Sequence, residues 1–358
     1  MYNPGFMKEK LYKESIALLQ KLIATQSFSG EENLTAEILM NYLSTYCEKI
    51  HRKGNNIWVK NKHFDSSKPT ILLNSHHDTV KPNKGYKKDP FQPEMLDGKL
   101  YGLGSNDAGG CLVSLIAAFL YFNDKRDLSY NLVLVASAEE ESSGEKGIRS
   151  VLSDLPEIDF AIVGEPTSLN LAIAEKGLLV LDCYAHGTPG HAAHSKGDNS
   201  IYHAMEAINW FKGYHFPEIS ETLGEVKMTV TQIEAGDQHN VVPSTCHFVV
   251  DIRVTDKYSN LEVLEKVKSA VKVEVMERSL RLNSSYIPKE HPIVQAGIKL
   301  GRETYGSPTL SDQSNSSCYS LKLGPGDSLR SHTADEFIYI QEIEEGISLY
   351  MQLLEEIL

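Results

Sequence analysis

The sequence predicts an α/β protein with a central mixed sheet and helices on both faces, interrupted by a smaller α+β domain. Short apolar runs that suit strands alternate with longer amphipathic segments towards both ends of the chain. Between residues 176 and 286 the pattern changes to β-rich runs separated by helical segments. We therefore expect a discontinuous first domain, residues 1–175 and 287–358, with a second domain, residues 176–286, inserted into it.

The first half of the chain supplies helices and strands in alternation. Leu11, Leu18 and Leu22 form one apolar row, which predicts a helix over residues 8–25. The Ser-Gly-Glu-Glu run at 29–32 has the composition of a cap for a second helix. Further elements follow in this order: strands 57–60 and 71–73, helix 109–122, and strands 132–136 and 160–163.

The inserted region and the end of the chain complete the predicted elements. In the inserted region, alternating apolar residues predict strands at 178–184, 226–233 and 245–255, and helical periodicity predicts helices at 200–211 and 260–271. A last helix is expected over 340–358. Two strand–helix groups of this kind indicate a small α+β domain.

Charge and composition exclude several classes of protein. The 358 residues carry 35 lysines and arginines against 48 acids, a net charge of −13, so neither a nucleic acid nor an anionic membrane is expected as partner. The longest apolar run, 111–122, is shorter than the roughly 20 residues that span a bilayer. The start of the chain lacks an apolar signal segment, and the five cysteines are scattered. We expect a soluble, cytoplasmic protein with reduced thiols.

Histidines and acids directly follow the predicted strands. His76 and Asp78 come just after strand 71–73, and Glu165 follows strand 160–163. Ligand sites in open α/β sheets gather at the carboxyl ends of strands, and an aspartate two residues from a histidine can orient a metal ligand. A polar turn at His76 and an ordinary Glu-Pro turn at Glu165 are the alternatives.

A glycine-rich segment, residues 102–110, precedes the helix at 109–122 and contains Asp107. It lacks the third glycine of a dinucleotide-binding loop and the Gly-Lys-Ser/Thr of a phosphate loop, and Asp107 would repel a phosphate. We interpret the glycines as allowing the backbone to turn tightly around one carboxylate. A helix-capping aspartate is the alternative.

Three consecutive acids, Glu139, Glu140 and Glu141, follow the strand at 132–136, and His332 lies near the end of the chain. Adjacent carboxylates beside a buried strand are unfavourable unless cations neutralise them. An exposed charged loop and a structural histidine are the alternatives. Taken together, oxygen and imidazole ligands without thiolates suit Zn²⁺, Co²⁺ or Mn²⁺. The number of carboxylates suits two metals that share a bridging acid.

These motifs, in this order, resemble those of the M20 metallopeptidase family, which includes acetylornithine deacetylase, succinyl-diaminopimelate desuccinylase, aminoacylase and carboxypeptidase G2. The resemblance covers essentially the whole chain. It implies a zinc-peptidase-like catalytic domain and an inserted ferredoxin-like domain that serves in dimerisation and as a lid. It also implies two divalent metal ions, zinc in the first place and cobalt or manganese as alternatives, bound by these ligands: His76, Asp107, Glu140, Glu165 and His332.

The resemblance also assigns roles within this set. Asp107 would bridge the two metals, Glu165 would join His76 on one of them, and His332 would join Glu140 on the other. Asp78 would hold the ligand geometry, and Glu139 would be the general base. Because Glu141 extends the acidic run, the register that uses Glu140 as base and Glu141 as ligand is the alternative.

The inserted domain carries three more motifs of the family. The segment Gly187-Thr188-Pro189-Gly190-His191 resembles its G-x-x-G-H motif, whose histidine reaches the partner subunit's active site and stabilises the oxyanion; His194 fits this spacing less well. Asn240 in an N-V-V-P motif and Arg253 in a D-x-R motif would bind the substrate's carboxylate and nearby polar groups. A turn-forming asparagine and a solvated arginine are the alternatives.

The resemblance implies hydrolysis of an N-acyl amide, in which a hydroxide bridging two metals attacks the acyl carbonyl and Glu139 moves the proton to the leaving amine. The Gly-Glu-Pro-Thr run at 164–167 resembles the deacetylase branch. The expected substrate is therefore N-acetyl-ornithine, alternatively its N-succinyl form, in arginine biosynthesis. Desuccinylation of succinyl-diaminopimelate, an acyl-lysine or dipeptide substrate, and a non-catalytic metal-binding relative are the alternatives. We expect a homodimer and assign no role to the polar segment 311–317.

Overall fold

The computed structural model describes residues 4–194, 197–315 and 318–358, and these form two compact units. The first unit comprises the chain up to Ile173 together with Tyr286–Tyr305 and Ser311–Leu358. The second unit comprises Ala174–Ser285 and Gly306–Leu310. The short segment Gly306–Leu310 therefore groups with the second unit, although the sequence pattern assigned it to the first.

The helices are α1 (Pro4–Ile23), α2 (Asn33–Leu43), α3 (Gly110–Phe122), α4 (Arg149–Leu152), α5 (Ser200–Gly213), α6 (Asn260–Ala270), α7 (Pro292–Lys299) and α8 (Ile340–Ile357). The strands up to the middle of the chain are β1 (Ile50–Lys53), β2 (Asn56–Lys60), β3 (Thr70–His76), β4 (Glu94–Leu96), β5 (Lys99–Tyr101), β6 (Asn131–Ser137), β7 (Phe160–Val163), β8 (Leu171–Glu175) and β9 (Gly177–His186). The later strands are β10 (Gly190–His191), β11 (Lys227–Ala235), β12 (Val241–Val242), β13 (Thr245–Val254), β14 (Glu274–Glu277), β15 (Ser285–Tyr286), β16 (Thr304–Ser307), β17 (Tyr319–Lys322) and β18 (Phe337–Tyr339).

The first unit is built on a mixed sheet with the strand order β1-β2-β6-β3-β7-β17-β8. Strand β3 pairs in parallel with β6 and β7, and β17 pairs in parallel with β7, whereas β2 is antiparallel to β6. All residues of β3, β6 and β7 are buried, as expected for parallel strands covered on both faces. The predicted α/β class with a central mixed sheet is thereby confirmed.

Alternate residues of these strands belong to two separate apolar clusters. Ile71 and Leu73 of β3 pack in the cluster that contains α1, α3 and α8, while Leu72 packs with the segment around α4. Because side chains of a strand alternate between the two faces, helices cover both faces of the sheet. This arrangement leaves the ends of the strands as the place where polar side chains can gather.

Helix α3, which follows the glycine-rich segment that contains Asp107, is buried along nearly its whole length. It is apolar along almost its whole length, and 89% of the segment from Ser105 to Phe122 is buried within the protein. By length and composition alone this segment could cross a membrane. Its burial against α1, α8 and β3 is that of a core helix.

The second unit is a four-stranded antiparallel sheet in the order β11-β13-β9-β14. Along the chain its elements run β9-α5-β11-β13-α6-β14, which is the β-α-β-β-α-β order of a ferredoxin-like fold. Phe211 of α5 and Val263 of α6 pack against Leu181 and Phe248 of the sheet, so both helices lie on one face. The opposite face carries the charged side chains of β9 and β13, among them Asp182 and Arg253.

Candidate metal centre

The carboxyl ends of three adjacent parallel strands bring the candidate ligands to one edge of the first unit's sheet. His76 is the last residue of β3 and lies opposite Ser137, the last residue of β6. The three consecutive acids begin two residues after the end of β6, and Glu165 lies two residues after the end of β7. Side chains that leave neighbouring parallel strands at the same edge meet there, as in other open α/β sheets.

The imidazole of His76 is buried and faces three carboxylates. Its Nε2 lies 3.5 Å from Asp107 Oδ1, 3.7 Å from Glu165 Oε1 and 3.9 Å from Glu140 Oε2. Its Nδ1 lies 3.0 Å from the carbonyl oxygen of Asp78, which can only accept a hydrogen bond, so Nδ1 is the donor. Nε2 is therefore the nitrogen available to a metal, oriented through the other side of the ring.

A second group forms on the other side of Asp107. His332 Nε2 lies 2.9 Å from Glu141 Oε2 and 3.5 Å from Asp107 Oδ2. The two oxygens of Asp107 thus face different histidines, Oδ1 towards His76 and Oδ2 towards His332. This is the arrangement that a carboxylate shared by two metal ions requires.

The glycine-rich turn places Asp107 as the sequence indicates. Gly102 and Gly104 have φ values of 146° and 75°, which residues with a Cβ rarely adopt. The turn Ser105–Gly109 then leads directly into α3. The backbone N–H groups of Gly104, Asn106 and Asp107 all donate to the buried carboxylate of Glu336, at 3.2, 2.8 and 3.0 Å.

The acids of this centre are crowded. Burial raises the pKa of Glu165 to about 8 and raises that of Glu140 well above its usual range, and neighbouring carboxylates add to both shifts. Burial alone would lower the pKa of His76, but its hydrogen bonds with Asp107 and Asp78 outweigh this effect and raise it. The nitrogen and oxygen donors form two groups of three, His76–Asp107–Glu165 and Asp107–Glu141–His332. This donor set, with an excess of negative charge, fits two divalent cations.

The acidic run adopts a different register from the one preferred on sequence grounds. The chain turns at Glu139, whose φ is 54°, and the carboxylate of Glu139 accepts the backbone N–H of Lys146 at 3.1 Å. The structure places Glu141, not Glu140, beside His332. The predicted pairing of His332 with Glu140 is therefore corrected to Glu141, and Glu140 is left facing His76.

Asp78 fixes this register. Its carboxylate accepts the backbone N–H groups of Glu140 at 3.0 Å and Glu141 at 3.1 Å, and the hydroxyl of Ser29 at 2.7 Å. Asp78 was expected to hold the ligand geometry, and in the structure it contacts both His76 and the acidic loop. The hydrogen bond from Ser29 to Asp78 could not be predicted from a local sequence pattern, because the two residues are 49 positions apart.

The run at 29–32 precedes helix α2 as predicted, with Glu32 at the N-cap position, but its side chains serve this centre. Helix α2 has no side-chain cap bond. Buried Glu32 instead accepts the backbone N–H groups of Gly30 at 2.6 Å and Glu139 at 3.2 Å, and the Nδ2 of Asn55 at 2.7 Å. Sequence reasoning also missed the part played by Glu336, although it lies in the same His-Thr-Ala-Asp-Glu run as His332.

The predicted substrate residues belong to the second unit. His191 in β10 pairs with Val241 in β12, and the backbone N–H of Ala192 donates to the carbonyl of Asn240, so the G-x-x-G-H and N-V-V-P motifs form one ribbon. The side chain of His191 is exposed. Its ring centroid lies 5.4 Å from that of His194. Arg253 donates through two nitrogens to Asp251 on the same strand.

The polar segment 311–317 is described in part. Ser316 and Ser317 lie outside the described residues. Asp312 begins a short 3₁₀ turn and is buried with its neighbour Gln313. Asp312 packs in the first unit, where its partners lie on β3 and β6.

Comparison with known proteins identifies the relatives of this chain. The profile of peptidase family M20/M25/M40 matches residues 72–356. The chain is 28% identical to the LysW-lysine/LysW-ornithine hydrolase of Sulfurisphaera tokodaii, over 98% of this chain and 97% of that protein. It is 30% identical to the acetylornithine deacetylase of Photorhabdus laumondii, over 95% and 96% of the two chains.

The solved structures agree on the fold. An M20 family metallo-carboxypeptidase from Sulfolobus solfataricus matches with a TM-score of 0.75 and 17% sequence identity. The match covers 96% of this chain and 99% of that one. At this identity the likeness concerns the arrangement of the backbone.

Proposed function

Since this chain belongs to peptidase family M20/M25/M40 and is a hydrolase, we propose that it releases an amino acid from an N-acylated precursor. The observation that carries the proposal is the meeting of two histidines and three further acids around Asp107. Ornithine is the amine that we propose as the product, because both reported relatives bear ornithine in their names. This would place the reaction in arginine biosynthesis, in the cytoplasm, where the five free cysteines would stay reduced.

Two groups of side chains would hold two divalent cations, zinc in the first place. His76, Asp107 and Glu165 form one group, and Asp107, Glu141 and His332 form the other. Such a pair of cations supplies a water molecule of lowered pKa and polarises the acyl carbonyl. Asp78 keeps the ring of His76 and the loop of Glu141 in place through its hydrogen bonds.

We assign the proton transfer to Glu140. Its carboxylate faces His76 but belongs to neither group of ligands, so it is free to accept a proton from water and return it to the leaving amine. The carboxylate of Glu139 is turned towards the N–H of Lys146 instead. The proposal therefore adopts the register in which Glu140 is the base and Glu141 a ligand.

His191, Asn240 and Arg253 keep their proposed roles in binding the substrate. Asp251 accepts hydrogen bonds from two of the three guanidinium nitrogens of Arg253, Nε and Nη2, and this fixes the direction in which the remaining N–H groups point. An exposed His191 suits a donor that acts on a neighbouring subunit, and we therefore propose a homodimer. The mass of the particle in solution, measured by light scattering, tests this.

A LysW-linked lysine or ornithine is the second candidate substrate. The similarity to the hydrolase from Sulfurisphaera tokodaii favours it, because that match spans nearly the whole length of both proteins. In this case the acyl side of the cleaved amide would be a protein and not an acetyl or succinyl group.

A substrate panel decides between these possibilities. Metal-loaded enzyme is offered N-acetyl-ornithine, N-succinyl-ornithine, N-succinyl-diaminopimelate, LysW-linked ornithine and a dipeptide, and the free amine is measured. We expect the N-acyl-ornithines to be cleaved fastest. Cleavage of the dipeptide while every acylated or LysW-linked ornithine stays intact would refute the proposed substrate.

A further inference from the structure

Asp312, from the polar segment that the motifs left without a role, lies buried behind the metal centre, with only 5% of its surface exposed. Its Oδ2 accepts two hydrogen bonds, from Asn74 Nδ2 at 2.9 Å and from Ser137 Oγ at 2.6 Å. Both donors are themselves buried, and they come from chain segments 238 and 175 residues away.

The two donors stand on neighbouring strands just before the metal ligands. Asn74 lies on β3 two residues before His76, and Ser137 ends β6 three residues before Glu140. The same two strands pair in parallel, with His76 opposite Ser137. One oxygen atom of Asp312 thus ties together the strand ends from which the histidine and the acidic loop emerge.

A buried carboxylate is an unfavourable choice for a residue that only fills space. Removing its charge from water costs free energy, which its hydrogen bonds offset in part. An apolar side chain would avoid this cost but could not hold Asn74 and Ser137 at a fixed separation. The presence of the acid is therefore explained by the geometry that it imposes on the strand ends.

We propose that Asp312 is a positioning residue, whose carboxylate clamps the ends of β3 and β6 and thereby sets the distance between His76 and the acidic loop. The inference rests on the proposed function only in taking His76 and Glu141 as metal ligands. Residues that orient ligands in this way are worth roughly 10–100-fold in metal affinity or activity. Asp312 itself contacts neither ligand in the hydrogen bonds described.

The test compares Asp312→Ala with Asp312→Asn in the full chain. Asparagine keeps an oxygen that can accept both hydrogen bonds, whereas alanine removes the acceptor. Metal-free protein is titrated with Co²⁺, and binding is followed by visible absorption. We expect Asp312→Ala to lower the Co²⁺ affinity by about 10–100-fold, and Asp312→Asn to retain most of it.

Asn131 provides a matched control at the opposite end of the same two strands. It begins β6 opposite Thr70 of β3, is buried, and makes hydrogen bonds with the backbone of Asp65 and Lys68. Asn131→Ala should lower the melting temperature as Asp312→Ala does, because each leaves buried polar groups unpaired. It should leave the affinity for Co²⁺ unchanged.

Two further variants keep the test decisive if Asp312→Ala does not fold. Ser137→Ala and Asn74→Ala each remove one arm of the clamp, and each should lower the Co²⁺ affinity by a smaller factor. Where Asp312→Ala folds, adding Ser137→Ala to it should cause little further loss, because the shared hydrogen bond is already gone.

Three results would overturn the inference. An equal loss of Co²⁺ affinity in Asp312→Ala and Asp312→Asn would mean that the charge of Asp312, and not its two hydrogen bonds, supports metal binding. An equal loss of Co²⁺ affinity in Asn131→Ala would mean that general destabilisation causes the loss. Unchanged affinity in both Ser137→Ala and Asn74→Ala would mean that the two hydrogen bonds of Asp312 do not affect metal binding. A wild-type chain that binds Co²⁺ but hydrolyses no N-acyl amino acid would instead refute the proposed function and leave this comparison intact.

Discussion

Acids collect in two regions of this molecule, and their surroundings differ. At the edge of the first unit's sheet, Glu140 and Glu165 share the neighbourhood of His76, and burial raises the pKa of Glu165 to about 8. On the polar face of the second unit's sheet, Asp182 accepts two hydrogen bonds from Arg278, at 2.7 and 3.0 Å, and one from His247. The hydrogen bond from Arg278 lowers the pKa of Asp182 to about 2.

The difference separates acids that are paired within the fold from acids that are candidate metal ligands. Asp182 and Asp251 each have a guanidinium from the chain itself, so their charges are balanced within the fold. The acids around Asp107 outnumber the two histidines that face them, and burial raises the pKa of Glu140 and Glu165. A count of acids alone would not have separated the two regions; burial and the kind of partner do.

The largest expected effect comes from the acid that faces the centre without being a ligand. Glu140→Gln should lower kcat by about 10²–10⁴-fold because the proton acceptor is lost. Glu139→Gln should retain most activity, because a glutamine oxygen can still accept the N–H of Lys146. Steady-state kinetics on both variants is the measurement. A larger loss of kcat in Glu139→Gln than in Glu140→Gln would instead support the register preferred from sequence, with Glu139 as the base.

The next effect is the response of stability to metal. Saturating Zn²⁺ or Co²⁺, at 100 times the dissociation constant, should stabilise the folded chain by about 2.7 kcal/mol per site. Asp107→Asn should lack most of this gain, because Asp107 faces both histidines. Asp182→Asn should keep it in full. Thermal unfolding with and without chelator measures the gain, and a wild-type chain insensitive to metal would contradict the contrast between the two regions.

The smallest expected effect concerns the paired acid. The pKa of Asp182 in the folded chain, about 2, lies below the value of about 3.9 for an unfolded aspartate, so its ion pair stabilises the protein above that pH. This contribution is lost as the pH falls from about 4 towards 2. Because Arg278 is 54% exposed, we expect about 1 kcal/mol at neutral pH.

Urea unfolding of Asp182→Asn at pH 7 and pH 3 measures this contribution. The variant should be less stable than the wild type at pH 7, and the difference should shrink at the lower pH. Asp237→Asn, at an exposed acid of the same unit, serves as control and should show no such change. A wild type that gains stability on acidification relative to Asp182→Asn would contradict the assigned ion pair.

The sequence predicted the architecture of the first unit well, because each element carries its own local pattern. Strand β7 was expected at 160–163 and is found there, and helix α3 begins one residue after its predicted start. At residues 29–32 the predicted helix start is found, with Glu32 at the N-cap position of α2, but the side chain of Glu32 makes long-range contacts instead of a cap bond. Glu32 reaches Glu139, 107 residues away, and a local pattern contains no record of such a partner.

Most of the candidate ligands and their order along the chain were readable from the sequence, since strand ends and glycine-rich turns are local features. His76, Asp107 and Glu165 were named in this way, His332 was added as a late histidine that could complete the set, and the structure brings the four together. Which of three consecutive acids turns inwards was decided only by tertiary structure. That choice depends on the positive φ of Glu139 and on the two N–H groups that Asp78 accepts. The buried carboxylates of Asp312 and Glu336 likewise acquire their partners only when distant segments pack together, because a hydrogen bond is set by distance in space and not along the chain.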